Sequence, residues 1–337
     1  MRVMSEFRRF IVQRTIYAII TLFVTFTINF FIFRIMPGDP VSIMVSERIL
    51  KPSVVEEVKT RFGLNLPLWQ QYLLYIQNLL TGYLGYSFHW KEPVINVIME
   101  RLPNTILLLG FSTILSVIIG IILGMLAAWK RGTKIDVTII TSSLIFYSLP
   151  AFWAGMILLM FLGYYPMMLW NIDLFPIAGT MSRPPPEGFF ERILDILRHM
   201  ILPATTLTLI SYGEYALLMR NTLLDVLTQD YIVTARAKGL PERRVLIRHG
   251  MRNALLPTVT SVAISLGFIV SGATLTETVF SWNGVGRLIF DAMMMRDYPV
   301  LQGAFVIISI SVILANYVAD IIYGILDPRI RYGGYGE

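Results

Sequence analysis

The sequence predicts an all-α membrane protein with six transmembrane helices. Three observations carry this. Charged residues make up only 15% of the 337-residue chain, against about 25% in soluble domains. The deficit is gathered into runs rather than spread evenly. Each run is long enough for the roughly 20 residues that a membrane-crossing helix needs. Residues 15–33, 102–129, 137–172, 253–276 and 298–319 carry no charge, and residues 200–219 are broken only by Glu214.

Arg2, Arg8, Arg9 and Arg14 surround the start of the first apolar segment, 11–33. That segment is too long for a signal-peptide core and lacks a small-residue cleavage site, so it reads as a retained helix. Residues 37–101 then form an external segment. Pro37-Gly38-Asp39-Pro40 turns the chain at the membrane exit, and Ser53-Val54-Val55-Glu56 is a capping box for a short helix that Gly63 can end. Pro67 suits the first position of another helix, with Trp69, Tyr72, Leu73, Ile76, Leu79 and Leu80 on one face before Gly82. This small cap either plugs the outer ends of the spans or meets an external delivery protein.

The second span carries Ser116, Gly120, Gly124 and Ala128 at every fourth position, a stripe that lets another helix approach closely. Residues 137–172 are too many for one helix, and Tyr164-Tyr165-Pro166 is expected to end it. Arg183-Pro184-Pro185-Pro186 reads as an extended external loop. No repeat of 20–50 residues and no low-complexity segment stands out.

Six spans put both termini on one side of the membrane. That side holds sixteen basic and seven acidic residues, whereas the other holds twelve of each, setting aside Glu214, Glu277 and Asp320 in or near spans. The positive-inside rule therefore places both termini in the cytosol. The basic patch is a poor nucleic-acid surface, because it is tethered between spans and has one aromatic residue. The chain contains no Cys, which excludes disulfides and thiol chemistry.

The most informative stretch lies between the fourth and fifth spans, where about 35 residues face the cytosol. Asp230 can cap a helix over 231–238, and Gly239 can close it in the left-handed conformation. Pro241 can open a second short helix, with Glu242 in its first turn and Arg248, His249 and Arg252 near its end. Tyr231, Ile232, Ala235 and Leu240 would give this knob an apolar face inside a basic rim, as an interface anchor has. A helix pair lying flat on the membrane is the other reading.

Several chemistries are excluded or disfavoured. There is no Gly-x-x-x-x-Gly-Lys-Ser/Thr loop to hold ATP phosphates. His89, His199 and His249 are far apart and form no His-Glu-x-x-His, which argues against a metal hydrolase. Gly-x-Ser-x-Gly is absent, although Ser and Asp in spans leave an intramembrane protease formally open. Glu214, Glu277 and Asp320 could form the proton relay of a secondary transporter. They are instead expected to lie near helix ends or to pair with basic residues, Glu214 preceding Arg220 by six positions. Two related halves, common in proton-coupled carriers, are not visible.

The chain resembles, over nearly its whole length, the permease subunits of dipeptide/oligopeptide-type ABC importers. The resemblance is carried by Pro37-Gly38-Asp39-Pro40, by Phe62-Gly63-Leu64 with Pro67 and Gln71-Tyr72, and by Gly82-Tyr83-Leu84-Gly85-Tyr86-Ser87. It continues through Tyr231-Ile232-Val233-Thr234-Ala235-Arg236-Ala237-Lys238-Gly239-Leu240, with Arg252-Asn253-Ala254-Leu255 and Pro257 downstream. Glu277-Thr278-Val279-Phe280, Gly284-Val285-Gly286, Arg296-Asp297-Tyr298-Pro299 and Asp327-Pro328-Arg329-Ile330-Arg331 complete it. There are departures. Val233-Thr234-Ala235 stands where the general importer motif opens Glu-Ala-Ala, and the gap from Gly239 to Pro257 is longer than in sugar-type permeases. Trp282-Asn283-Gly284 replaces an expected Pro before Gly.

The resemblance implies the six-helix type I ABC importer permease fold, with residues 1–36 as tail and first span and 37–101 as the external helical segment. Residues 102–326 would form a five-helix core containing the ATPase-coupling loop 221–257, and 327–337 a cytosolic tail. It implies a second similar permease, two cytosolic ATPases carrying ATP and Mg, and an external binding protein. No cofactor is expected on this chain. The expected coupling residues are Asp230, Tyr231, Thr234, Ala235, Arg236, Ala237, Lys238, Gly239, Leu240, Arg244, Arg248, Arg252 and Pro257. Thr258, Ser261, Ser265, Ser271 and Thr274 are the candidate lining of an uncharged pathway, unless these hydroxyls bond to their own helix backbone. Peptides lead as substrate, with oligosaccharides and nickel chelates as alternatives.

Overall fold

A computed structural model describes residues 2–35 and 65–326. The turn at residues 37–40, the capping box at Ser53, Gly63 and the C-terminal 327–331 motif lie outside the described residues. Among the described residues every regular element is a helix, with one isolated bridge between Tyr86 and Pro93 in place of strands. In chain order the α-helices are α1 (Arg2–Ile35), α2 (Leu68–Leu80), α3 (Val94–Trp129), α4 (Lys134–Ser148), α5 (Ala151–Leu158) and α6 (Tyr165–Trp170). They continue with α7 (Phe189–Leu227), α8 (Asp230–Ala237), α9 (Glu242–Arg244), α10 (Met251–Phe268), α11 (Thr274–Val279), α12 (Val285–Met294) and α13 (Tyr298–Leu326). Six helical segments are long and apolar enough to cross a membrane: Arg8–Arg34, Val94–Trp129, Ala151–Trp170, Phe189–Leu227, Glu242–Ser271 and Tyr298–Ile321.

The third span differs from expectation. The chain breaks at Leu149-Pro150, not at Tyr164-Tyr165-Pro166. Leu149 is extended, with ψ 135°, because the proline ring excludes the helical conformation from the residue before it. Pro166 instead sits buried inside the helical run, which passes from α5 to α6 through a π-helical stretch, Leu159–Tyr164. A wider turn before a proline accommodates the missing N–H. The run ends at Trp170, where Asn171 adopts a left-handed conformation with φ 53°.

The chain forms two compact units. In the first, residues 1–103 with 288–337, α1 lies along α13. Arg14 pairs with Asp320 at 3.1 Å, the Thr15 and Tyr317 hydroxyls bond at 2.9 Å, and Asn29 Nδ2 donates to the Gln302 carbonyl at 3.3 Å. The Asp320 partner is thus the basic residue expected of it. Helix α2 starts after Pro67 and packs on α1 through Tyr72 and Tyr75 around Phe30, with the Tyr72 and Thr27 hydroxyls 2.8 Å apart. The expected apolar face is only partly covered, since Trp69, Leu73 and Leu80 remain 62%, 57% and 84% exposed. The covered side is set by the aromatic contacts with α1 rather than by the apolar stripe as a whole.

In the second unit, residues 104–287, α7 is the central helix. The small-residue stripe of α3 meets it: a Cβ on Gly120 would lie 2.5 Å from the Tyr215 Cβ, and one on Gly124 2.4 Å from the Ala216 carbonyl oxygen. Gly213 on α7 admits α4 in the same way, its Cβ position being 2.6 Å from the Ser143 carbonyl. Lipid offers no hydrophobic drive to bring helices together, so this backbone proximity supplies the dispersion contacts that hold them. Leu108, Met200, Ala204, Leu207 and Trp282 form one core cluster, and Ala128, Met219, Leu223, Leu246 and Ala254 another.

Candidate coupling site and translocation face

Helix α8 starts one residue earlier than expected. Gln229 occupies the N-cap position with ψ 149°, and no side chain caps the helix. Asp230 lies in the first turn, where its charge complements the helix dipole. Thr234 Oγ1 turns back to the Asp230 carbonyl at 2.9 Å. Gly239 closes the helix with φ 74°, the conformation that only glycine adopts freely. Its N–H bonds the Arg236 carbonyl at 2.9 Å, and the Leu240 N–H reaches back to Ala235 at 3.4 Å.

The apolar side of α8 faces inward. Ile232 is fully buried and Ala235 is 6% exposed; both pack on Val245, with Val226, Leu227 and Leu240 around them. Ile232 and Ala235 are therefore not the exposed anchor that the sequence pattern led us to expect, because the chain uses them to fasten α8 to its own neighbours. The outward side presents Tyr231, Val233, Thr234, Ala237 and Lys238. The Tyr231 hydroxyl accepts from Asn253 Nδ2 at 2.8 Å. Arg236 pairs with Glu242 across the Gly239 corner at 2.7 Å, and this bond pushes the guanidinium pKa above its ordinary value. Both groups are over 40% exposed, so the pair fixes direction more than it adds stability.

The second helix of the expected knob is not short. After Pro241, α9 passes through a π-helical stretch, Val245–Gly250, into α10 without a break. Pro257 lies inside the helix without ending it, and Gly250 fits close against Leu223 of α7, a Cβ there lying 3.0 Å from Leu223 Cδ1. Arg244, Arg248, Arg252 and Pro257 are all exposed along this helix. The segment that begins at the corner is thus one body with the fifth span.

The hydroxyls of α10 and its continuation do not form a single lining. Ser265 bonds the Tyr215 hydroxyl at 2.9 Å and Ser261 donates to Glu214 Oε1 at 3.1 Å, both across to α7. Ser271 donates to its own Phe268 carbonyl at 2.5 Å. Thr258 is 1% exposed, and its Oγ1 has no partner. Thr274 opens α11 and is half-buried.

Sequence reasoning missed two arrangements. Arg220 does not answer Glu214. It reaches α4, where Nε and Nη2 donate to Asp136 at 2.7 and 2.9 Å. Asp136 also accepts the Gly132 N–H at 2.9 Å, and Arg220 with Gly132 holds its carboxyl below the usual carboxylate value despite burial. The other is Glu277, fully buried and without a basic side-chain partner among the described residues. It accepts from Thr105 Oγ1 at 3.1 Å, Ala273 N at 3.3 Å and Arg287 N at 3.0 Å. Burial pushes its pKa up and these donors oppose the rise. Gly284 and Gly286 leave room for it: a Cβ at either would fall 2.4 or 3.0 Å from Oε2. The cluster of glycines after Glu277 was the available signal; the 84-residue separation of Asp136 and Arg220 left none.

Residues 120–332 match the family model described as binding-protein-dependent transport system inner membrane component, and residues 7–109 match its N-terminal companion. The chain is 40% identical to the di/tripeptide transport system permease protein DppB of Pseudomonas aeruginosa (strain UCBPP-PA14), over 96% of this chain and 98% of that protein. It is 39% identical to the dipeptide transport system permease protein DppB of Escherichia coli (strain K12), over 95% and 98%. It is 40% identical to the oligopeptide transport system permease protein AppB of Bacillus subtilis (strain 168), over 96% and 99%. With six helices long and apolar enough to cross a membrane and relatives matching at least 95% of its length, the chain belongs to the family of binding-protein-dependent transport system inner membrane components, as a multi-pass permease of the type I ABC importer fold.

Proposed function

We propose that this chain forms half of the translocation pathway of an ATP-driven peptide importer. The observation that carries the substrate is the 39–40% identity to permeases named for di-, tri- and oligopeptides, over at least 95% of the chain. These relatives favour peptides over an oligosaccharide or a nickel chelate, and membership of the importer family sets aside a proton-coupled carrier. A second permease completes the pore, two cytosolic ATPases bind ATP and Mg, and an external binding protein delivers peptide. The chain itself holds no nucleotide, since it lacks a phosphate loop. Both termini face the cytosol, supported by the basic excess on that side.

The coupling role belongs to α8 and its continuation. The exposed face of Tyr231, Val233, Thr234 and Lys238 is the docking surface in this reading, and buried Ile232 and Ala235 transmit load. ATPase movement pushes on α8, and its packing on Val245 passes the displacement to the fifth span through continuous helix. Rigid packed elements carry force in a way that a mobile linker does not. The test is uptake of labelled dipeptides and tripeptides by proteoliposomes containing this chain with its cognate permease, ATPases and binding protein. ATP-dependent accumulation of peptide is expected. Uptake of an oligosaccharide or a nickel chelate in preference to any peptide would overturn the substrate assignment.

A further inference from the structure

Between Leu202 and Arg220, before α7 enters the cytosolic loop, Glu214 is the one exposed residue. Asn221 and Asp225, exposed beyond the span at intervals of seven and four, continue the same face toward the cytosol. The exposed residues of α3 over a comparable depth, from Ile106 to Ile122, are all apolar. That contrast separates a face made for lipid from one made for water, because an ionised carboxylate is costly against hydrocarbon. Glu214 lies inside the apolar core of the fourth span. The nearest cation in sequence, Arg220, is committed to Asp136, and none of the ion pairs among the described residues includes Glu214. Ser261 from α10 donates to Oε1 at 3.1 Å, which orients the carboxylate. Ser265 and Tyr215 bond one turn further along the same seam.

We propose that this face of α7 lines the translocation pathway, and that Glu214 is a transient binding site for a protonated amine, the α-ammonium of a peptide in transit. The amine assignment rests on the peptide reading above; the placement of the face does not. One carboxylate with a single hydroxyl partner leaves acceptor capacity for an incoming N–H donor. A lone charge in a wet channel binds weakly enough to release its ligand, as a conduit requires.

Two measurements test it in the complete transporter. The chain has no Cys, so Glu214→Cys and Ile201→Cys can each be probed as single thiols with a trimethylammonium methanethiosulfonate. Position 214 should react at least about tenfold faster than Ile201, which is exposed on an apolar part of α7. Equal or slower reaction at 214 would mean that lipid or the second permease covers it, and would overturn the placement whatever the substrate. For the charge, Glu214→Gln should lower kcat/KM for dipeptide uptake by about tenfold, and Glu214→Asp should retain most of it. Moving the carboxylate across the seam, in Glu214→Ser with Ser261→Glu, should restore uptake to within about twofold of wild type. Wild-type uptake by Glu214→Gln, or no recovery in the swapped pair, would overturn the amine site. A wild-type transporter that moves no peptide, with a reactive position 214, would overturn the amine site through the peptide reading alone.

Discussion

Replacing Arg220 by Met should destabilise the permease far more than replacing both Arg220 and Asp136. The two guanidinium bonds, at 2.7 and 2.9 Å, link α7 to the start of α4. Asp136 is 4% exposed at the side chain and Arg220 19%. Coulomb attraction at this distance is about 6 kcal/mol at an effective dielectric of about 20. Desolvating the two ions costs several kcal/mol each, so the pair as a whole contributes little net stability. Removing Arg220 alone leaves Asp136 buried with only the Gly132 N–H as donor, which costs about 3–5 kcal/mol. Asp136→Asn with Arg220→Met removes both charges and should recover most of that loss. Unfolding in SDS mixed micelles, read as a double-mutant cycle, measures the coupling. The pH dependence has a definite sign. Asp136 has a lowered folded pKa, so its contribution is present above the unfolded value near ~3.9 and is lost as pH falls through the folded value. That acid-dependent component should disappear in Arg220→Met. A single variant within about 1 kcal/mol of wild type, or a double variant no better than the single, would refute the argument.

Gly239→Val should leave membrane insertion intact and impair peptide-stimulated ATP hydrolysis, with Gly239→Asn much milder. Its φ is 74° and a Cβ there meets nothing within 4 Å, so the cost is backbone strain of about 1–2 kcal/mol; normal hydrolysis in the valine variant would remove this corner from coupling. Glu277→Ala should lower thermal stability by several kcal/mol, because the Thr105, Ala273 and Arg287 donors lose their common acceptor at about 1–3 kcal/mol each. Glu277→Gln should fall between alanine and wild type, since its NH2 confronts donors, and an unchanged melting temperature in the alanine variant would count against a pinning role. Single cysteines at Ser53 and Thr234 should label with an impermeant maleimide from opposite sides of the membrane, and labelling of both from outside would reverse the proposed topology.

The spans were legible in the sequence because lipid is an unforgiving solvent. A run such as residues 102–129 without one charge has few ways to exist except as a helix in hydrocarbon. The stripe Ser116, Gly120, Gly124 and Ala128 was legible for a related reason: a missing side chain is written in the sequence, and only close approach makes use of it. Gly239 belongs to the same class, as one residue type and one backbone conformation. Local chemistry of this kind needs no knowledge of neighbours.

Three things needed the tertiary structure. Which side of α8 faces outward depends on Val245 and Leu227 covering Ile232 and Ala235, and an apolar face reads the same whether it meets its own chain or a partner. The partner of Arg220 was decided by helix packing, which brings Asp136 of α4 to it across 84 residues while Glu214, six residues away, points to Ser261. The break in the third span fell at Pro150 and not at Pro166, although both residues are proline. Residue type alone does not decide this: Leu149 before Pro150 is extended, whereas Pro166 follows the π-helical turn Leu159–Tyr164 and stays inside the helical run. Periodicity and residue type determine what can form a span, whereas the pairing of charges and the facing of helices depend on which surfaces are already occupied.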